Sequence, residues 1–275
     1  MQTLTLEIKP NQSVELLKEL HILTRDGKLN QDSRRKLKQV YHLYNFIEPL
    51  LKDLQASNQN LSLVDHGAGK SYLGFILYDL FYKSLSEGKI YGIETREELV
   101  KKSQDLSKKL NFNRMEFLNL SVEDSITSPS LPETIDIVTA LHACDTATDD
   151  AINFALKKKA RYMVLVPCCQ AEVATVLRKN KQQNLSKNVL TEVFRHPIHT
   201  REFGSHITNV LRCLQLEAHG YQVTVTELVG WEHSMKNELI IAQYKDLPKR
   251  YPSERLNSLL GEFNLEEMNK RFFVS

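Results

Sequence analysis

Cysteine is scarce in this sequence, and its spacing argues against the usual metal-binding patterns. The 275 residues include only four cysteines, two of them adjacent, and no C-x-x-C pair occurs. A disulfide framework or a structural zinc site is therefore not expected, and we predict no metal centre. This cysteine usage fits a reducing compartment, so we expect a cytoplasmic protein. The four residues are Cys144, Cys168, Cys169 and Cys213.

Long apolar runs and an excess of one charge are also missing. No run approaches the roughly 18 apolar residues of a transmembrane helix, and the first residues lack the basic and apolar regions of a signal peptide. Lys and Arg number 36 against 34 Asp and Glu, which gives a formal net charge of +2. A chain this close to neutral has no overall field that attracts nucleic acid, so such binding has to use a local basic patch.

The most informative stretch is residues 61–71, with the sequence LSLVDHGAGKS. An apolar run ends in Asp65, a short turn with Gly67 and Gly69 follows, and a helical pattern begins at once. Two glycines allow a sharp turn and a close approach of a ligand to the backbone. The following helix offers free N–H groups and the positive end of its dipole. The stretch therefore predicts a strand, a loop and a helix that together bind a nucleoside-type cofactor.

Four interpretations of this loop differ in the residue spacing that they require. A phosphate-binding P-loop is disfavoured because its first glycine would fall on Val64, inside the strand. A dinucleotide-binding G-x-G-x-x-G loop is weak because Tyr72 stands at the third glycine position. The pattern Asp65-x-Gly67-x-Gly69 resembles the first motif of class I S-adenosylmethionine (SAM) methyltransferases. A plain strand-to-helix turn is the alternative without a ligand, because glycine pairs are common in turns.

Strand and helix patterns alternate along the rest of the chain. Continuous apolar strands separated by helices are typical of a parallel sheet with both faces covered. The last two strands are joined by a short link and are predicted to be antiparallel neighbours. We predict an α/β fold with a Rossmann-like, doubly wound sheet of seven strands. The predicted strands are residues 61–65, 89–94, 115–120, 135–141, 162–166, 221–229 and 238–244.

Composition divides the chain into three predicted segments. Residues 1–56 are expected to form an N-terminal helical extension, which ends at the polar linker around residues 55–60. The sheet domain is expected at 57–246, and a C-terminal helical tail at 247–275 is expected to pack on it. Within the sheet domain, the polar and basic residues 178–184 are interpreted as a mobile insertion.

A second acid is expected beside the glycine loop. Glu94 ends the next predicted strand, and ligands of such sheets bind at the carboxyl ends of the strands. A carboxylate at this position can accept two hydrogen bonds from a ribose diol. The alternative is an exposed carboxylate without a ligand, since strand ends tolerate charge.

A further motif makes the family resemblance more specific. Residues 141–149, LHACDTATD, are similar to the H-x-C-G-x-x-T-D segment of a methyltransferase group that includes tRNA 2′-O-methyltransferases. That group also carries a Cys-Cys pair after the following strand, which Cys168 and Cys169 match. Over roughly residues 60–245 the chain thus resembles class I SAM-dependent methyltransferases. Asp145 stands where glycine is usual, and the zinc-finger cysteines and the Cys-Cys-His-His run of the tRNA enzymes are absent.

The resemblance implies SAM as the cofactor and S-adenosylhomocysteine (SAH) as the product. The glycine loop would cradle the methionine part, with the preceding acid near its amino group, and the acid of the second strand would hold the ribose. Residues after the third strand would flank the adenine, and the end of the fourth would line the sulfonium side. The implied cofactor residues are Asp65, Gly67, Ala68, Gly69, Glu94, Ser121, Val122, Glu123, Leu141 and His142.

The candidate catalytic residues are His142, Cys144, Asp145, Cys168 and Cys169. A histidine has a pKa suited to removing a proton from a hydroxyl or an amine, although His142 can equally be a hydrogen-bonded structural residue. The cysteines can act as covalent nucleophiles, as in RNA cytosine-5 methyltransferases, or serve as small buried apolar residues. Methyl transfer from a sulfonium mainly needs alignment with the nucleophile, so direct in-line transfer is favoured.

The substrate hypothesis rests on local charge. RNA, either tRNA or rRNA, is the leading substrate, with Tyr41 and Tyr44 as possible stacking groups. The alternative functions are methylation of a protein or small molecule and a non-catalytic subunit that binds RNA or a partner. The alternative for the basic residues is a set of solvent-exposed helix faces without a ligand. The link at 230–237 is either a rim over the substrate, with Trp231 and His233, or a simple hairpin turn. The basic residues are Arg34, Arg35, Lys36, Lys38, Arg178, Lys179, Arg195 and Arg201.

Overall fold

Seven short strands form one mixed sheet in the computed structural model. The structure describes residues 8–141, 145–167, 170–184, 192–228, 238–247 and 251–273, without the side chains of 181–184. The strands are β1 (Ser62–His66), β2 (Lys89–Glu94), β3 (Met115–Asn119), β4 (Ile137–Leu141), β5 (Tyr162–Val166), β6 (Tyr221–Glu227) and β7 (Glu238–Tyr244).

The order of the strands is that of a doubly wound sheet with a reversed strand near one edge. It runs β3-β2-β1-β4-β5-β7-β6, with β1 to β5 parallel and β7 antiparallel to both β5 and β6. All five residues of β1 are buried, as expected for a central strand covered on both faces. This confirms the predicted α/β, Rossmann-like architecture with its final antiparallel pair.

Nine α-helices in the described residues flank the sheet. Three of them begin at a side-chain cap of the kind that favours a helix start, at Ser13, Asn30 and Ser121. None of the helices in these ranges is long and apolar enough to cross a membrane. The helices are α1 (Val14–Glu19), α2 (Gln31–Gln55), α3 (Tyr72–Leu80), α4 (Glu97–Lys109), α5 (Val122–Thr127), α6 (Thr146–Lys157), α7 (Glu172–Asn184), α8 (Pro197–Ala218) and α9 (Pro252–Glu262).

The core lies on the two faces of the sheet, with a third cluster beside it. Leucines of α1 and α2 such as Leu17 and Leu43 share one buried cluster with Leu63 of β1 and Ile90 of β2. Phe154 of α6 belongs to the cluster on the opposite face. The third cluster joins α7, α8 and α9. The N-terminal helices and the C-terminal tail therefore pack directly on the elements of the sheet domain.

The first turns of α2 lie beside the edge at which the parallel strands end. At the far end of α2, the Asp53 carboxylate accepts a hydrogen bond of 2.6 Å from the hydroxyl of Tyr162, the first residue of β5. Along its length, α2 packs against α3, which begins at Tyr72 shortly after the glycine loop. The helix thus runs alongside α3, and its basic N-terminal turns lie close to the glycine loop.

The interpretation of residues 178–184 was wrong, for an identifiable physical reason. Residues 178–184 belong to α7 rather than to a mobile insertion, because the apolar residues Val173, Val176 and Leu177 anchor this helix on α8 and α9. After the third strand, the chain forms the short helix α5, which Ser121 caps. Tertiary packing and capping outweighed the local polarity on which the predictions relied.

Gly204 of α8 offers a test of the contact between α7 and α8. A Cβ at this position would lie 2.8 Å from backbone atoms of Ala174, so Gly204→Ala is expected to lower the free energy of unfolding by about 1–3 kcal/mol. Gly261 of α9 is the matched control, because its Cβ would meet nothing closer than 3.9 Å. Gly261→Ala is expected to raise stability by up to about 1 kcal/mol through helix propensity. Urea unfolding of both variants measures the difference, and equal shifts would contradict the packing described here.

Candidate active site

The glycine loop has the backbone conformation that its sequence predicts. Gly67 and Gly69 have φ values of +67° and +58°, in the left-handed region that glycine adopts without strain. The amide of Ala68 donates a hydrogen bond of 2.9 Å to the carbonyl of Ile93, and the amide of Gly69 donates one of 2.8 Å to the Glu94 carboxylate. The loop after β1 is therefore fastened to the end of β2.

Asp65 turns its carboxylate toward the protein. It accepts hydrogen bonds of 3.0 Å from the hydroxyl groups of Ser71 and Thr139, which lie at the start of α3 and in β4. Burial raises the pKa of Asp65 to about 7, although both hydrogen bonds act in the opposite direction. These contacts hold the loop against β4, while the predicted position of Asp65 near the amino group of SAM stays a prediction.

Glu94 lies where β2 and the glycine loop meet. Its carboxylate accepts the Gly69 amide and also the backbone amide, Nε and Nη2 of Arg96, at 3.1, 3.0 and 3.1 Å. Burial alone would raise the pKa of Glu94, but the hydrogen bonds from Arg96 and Gly69 outweigh it and lower the pKa. Glu94 is thus an ionised acceptor. The Arg96 side chain is 60% exposed, so it can yield to the hydroxyl groups of a ribose.

A cavity of about 360 Å³ opens beside Glu94 at the ends of β1, β2 and β3. It brings together residues of the glycine loop, the predicted ribose acid and the segment after β3. Val122 lines it as predicted, whereas Ser121 instead caps α5, with its hydroxyl oxygen accepting the Asp124 amide at 3.1 Å. Glu123 is exposed in the first turn of α5. The lining residues are His66, Gly67, Ile93, Glu94, Thr95, Arg96, Leu120, Val122, Ala147 and Asp150.

His66 is a residue of this cavity that the sequence analysis missed. The side chain is buried, and neither ring nitrogen has a hydrogen-bond partner among the described residues. Its ring packs 5.4 Å from that of Phe154, and burial lowers the pKa of His66 to about 4. A neutral imidazole offers one donor and one acceptor. A buried polar group needs a partner, so His66 fits a cavity that holds a ligand with polar edges.

These features fit the cofactor that the sequence predicts. Glu94 offers an ionised acceptor to a ribose diol, the loop offers backbone without side chains at Gly67 and Gly69, and His66 offers two unpaired nitrogens to a heterocycle. A comparison with models of protein families identifies the class of protein. The family model described as "Methyltransferase domain" matches residues 35–176, slightly more than half of the chain.

This chain belongs to that family. Residues 35–176 thus form a methyltransferase domain, which agrees with the predicted fold class and with SAM as the predicted cofactor. A bovine "Glutathione S-transferase C-terminal domain-containing protein" is 23% identical over 234 residues, which cover 79% of this chain and 34% of that protein. The mouse protein of the same name is 22% identical over 234 residues, which again cover 79% of this chain and 34% of that protein. The methyltransferase thus spans about a third of the length of these curated relatives.

Solved structures with a similar fold were also found. The magnesium protoporphyrin IX methyltransferase of Synechocystis, solved with bound SAH, aligns with a TM-score of 0.47 and 15% identity over 83% of this chain and 94% of its own. A putative caffeoyl-CoA O-methyltransferase of Staphylococcus aureus aligns with a TM-score of 0.48 and 10% identity, over 89% of this chain and 98% of its own.

Most of the predicted catalytic residues lie outside the described residues. These are His142, Cys144, Cys168 and Cys169, of which His142 is also a predicted cofactor residue. The predicted rim residues Trp231 and His233 also lie outside the described residues. Leu141 ends β4 and is half-buried against the apolar cluster that contains α2 and α3. The remaining cysteine, Cys213, lies in α8, where burial raises the pKa of its thiol to about 12. A thiol with such a pKa is not a nucleophile at neutral pH.

Asp145 has an unusual backbone conformation, with φ +51° and ψ −122°. Glycine adopts this region readily and other residues rarely do, which explains why glycine is usual at this position in the resembling group. In this methyltransferase the Asp145 carboxylate accepts hydrogen bonds from the amides of Ala171 and Glu172, at 2.9 and 3.3 Å. It therefore caps the start of α7, and a catalytic role for it stays a prediction.

His66 is expected to make stability depend on pH. The unfolded chain takes up a proton at this histidine near pH 6.5, whereas the folded protein does so only near pH 4. The stability that neutral His66 provides is therefore complete above pH 6.5 and is lost as the pH falls toward 4. Relative to His66→Gln, the wild type is expected to lose about 2 kcal/mol between pH 7 and pH 5.

Urea unfolding of both proteins at several pH values measures this loss. Asp65 acts in the opposite direction, because its raised pKa makes protonation favour the folded state between pH 4 and 7. Since Asp65 is present in both proteins, the difference between them isolates the histidine. Parallel pH profiles would show that the pKa of His66 is the same in the folded protein as in the unfolded chain.

Proposed function

We propose that this methyltransferase transfers the methyl group of SAM to RNA, either tRNA or rRNA, by direct in-line displacement. When bound, SAM would supply a methyl carbon that bonds to the RNA nucleophile as its carbon–sulfur bond breaks, with the electron pair of that bond remaining on the sulfur of the SAH product. The nucleophile loses its proton to a base or to water. Cysteine usage supports a cytoplasmic location for this activity.

The chain's own residues act mainly by holding the two reactants. Glu94 would bind the ribose of SAM, the backbone of Gly67 to Gly69 would lie against the methionine part, and His66 would pair with the polar edge of the adenine. Alignment of a sulfonium methyl group with its nucleophile supplies much of the rate enhancement in such a reaction. His142 is the proposed base for the nucleophile, because it follows Leu141 at the end of β4.

The observation that favours RNA is the position of the basic turns of α2. Arg34, Arg35, Lys36 and Lys38 are all exposed there, and α2 packs against α3, the helix that follows the glycine loop. Arg34 and Lys38 line a surface cavity of about 420 Å³ that also contains Tyr41. Basic groups beside an aromatic ring suit a phosphate backbone with stacked bases.

The other predicted basic residues have local acidic or polar partners. Lys179 pairs with Glu267 at 3.3 Å, Arg195 with Glu192 at 3.5 Å and Arg201 with Glu202 at 3.1 Å. The guanidinium of Arg178 donates to the Thr175 hydroxyl at 3.1 Å. Lys36 on α2 is likewise paired, with Asp32 at 3.0 Å, so ion pairing does not distinguish the two regions. The proposed RNA contact is centred on α2 because this helix packs against α3, which follows the glycine loop.

A labelled-methyl assay tests the proposal, after calorimetry with SAM and SAH has established binding. Separate pools of total RNA, protein and small metabolites are offered, and label is expected in RNA. Label in protein or in metabolites would show that the substrate belongs to that class and is not RNA. Binding of SAM without transfer to any pool would favour a non-catalytic subunit that binds RNA or a partner.

The salt dependence of RNA binding tests the surface on α2. Arg34→Ala/Arg35→Ala is expected to weaken binding and to reduce the slope against salt concentration by about 1–2. The matched control, Arg255→Ala/Lys270→Ala, removes two exposed charges from the C-terminal tail and should leave the slope unchanged. Equal effects of the two double variants would argue against α2 as the contact.

A further inference from the structure

A buried arginine joins α8 to the loop and the helix that follow β4. Arg212 is fully buried, and its Nε and Nη2 donate hydrogen bonds of 2.7 and 2.8 Å to the two carboxylate oxygens of Asp149 in α6. Nη2 also donates to the backbone carbonyl of Asp145, at 2.9 Å. Arg212 thus holds Asp145, the residue directly before α6, in place.

Asn209, one turn before Arg212 on α8, extends the network to two other loops. Its amide oxygen accepts hydrogen bonds of 3.1 Å from Nη1 of Arg212 and from the side-chain amide of Gln170, which follows β5. Its amide nitrogen donates one of 2.8 Å to Glu238, the first residue of β7. Because β7 is antiparallel, it begins at the edge where β4 and β5 end.

Asp145 closes the same network from the other side. Its carboxylate caps the start of α7 through the amides of Ala171 and Glu172, which follow Gln170 directly. The loops after β4 and β5 are therefore joined twice, once through this cap and once through Arg212 and Asn209. Three residues of this network, Asp145, Gln170 and Glu238, are next in sequence to segments that contain predicted catalytic or rim residues. These segments are 142–144, 168–169 and 229–237.

We infer that Asp145, Asn209 and Arg212 are positioning residues for methyl transfer, which hold the starts of α6, α7 and β7 together at the sheet edge where β4 and β5 end. This inference rests on the proposed catalytic function. The network is not explained by stability alone. A buried ion pair is often no more stabilising than apolar residues of the same volume, and a residue other than glycine is strained in the backbone conformation of Asp145. Both features fix one geometry at some expense of stability.

Two substitutions at Asp145 separate positioning from folding. Asp145→Gly removes the strain together with the cap, so the melting temperature is expected to stay within a few degrees and the Kd for SAM within about twofold, while kcat falls by at least about tenfold. Asp145→Asn keeps an oxygen that can accept both amides, so its kcat is expected to stay within about threefold of the wild type. A normal kcat in Asp145→Gly, or an equal loss in both variants, would overturn the inference.

Hydrogen exchange of backbone amides gives a readout that does not depend on activity. Asn209 joins Gln170 to Glu238, so loss of its side chain should loosen the starts of α7 and β7. Asn209→Ala is expected to raise amide exchange at residues 172–174 and 238–240 by about tenfold, and the control Asn180→Ala, which loses only a hydrogen bond to the Asn264 carbonyl, is not. Unchanged exchange in Asn209→Ala would overturn the inference even if methyl transfer were never observed, and failure of the wild type to transfer would refute the proposed function alone.

Discussion

Replacing Glu94 by alanine is expected to weaken SAM binding by at least about 100-fold. The substitution removes an ionised acceptor for two ribose hydroxyl groups, and each hydrogen bond to a charged group contributes about 1.5–3 kcal/mol. It also leaves the amide of Gly69 without its acceptor, so the glycine loop loses its attachment to β2. Calorimetric titration with SAM and SAH measures the loss in affinity.

Two further variants define what this result means. Glu94→Gln keeps one acceptor oxygen for the Gly69 amide but loses the charge, so an intermediate affinity is expected. Glu97→Ala removes an exposed acid from the first turn of α4 and should leave the Kd within about twofold. If Glu94→Ala bound SAM normally, the cavity beside Glu94 would not be the ribose site, although the chain would still be a member of its family.

The parts of the site that were predictable from the sequence depend on backbone geometry and on strand ends. Gly67 and Gly69 have positive φ values, which few other residues tolerate, so their spacing in the sequence reveals the loop. Glu94 follows an apolar strand and is therefore placed at the edge by the sheet itself. Such features are local, or follow from the order of the strands, and a sequence carries them directly.

The parts that were missed depend on contacts between distant segments. His66 occupies a variable position of the glycine motif, and only the packing of Phe154 and the cavity beside it shows that its ring is buried without partners. The departure from glycine at Asp145 is visible in the sequence, but the amides that it caps, at Ala171 and Glu172, lie beyond the next strand. No periodic pattern records such a contact.

Arg212→Met is expected to lower the free energy of unfolding by about 3–5 kcal/mol, because it leaves the carboxylate of Asp149 buried without its partner. Arg255→Met is the matched control. Arg255 pairs with Glu217 at 3.2 Å, but its side chain is 59% exposed, so the loss is expected to be under about 1 kcal/mol. Urea unfolding of the two variants compares a buried and an exposed ion pair in one protein.

The double variant Arg212→Met/Asp149→Leu then separates the ion pair from the geometry that it maintains. Removing both charges is expected to recover much of the stability lost in Arg212→Met, since apolar side chains can fill the same volume. A double variant as unstable as the sum of the two single variants would contradict this account. Its methyl transfer should nevertheless stay slow, because the carbonyl of Asp145 and the side chain of Asn209 no longer have a donor on residue 212. A stable but slow double variant would show that the buried pair is retained for the geometry of the substrate side rather than for folding.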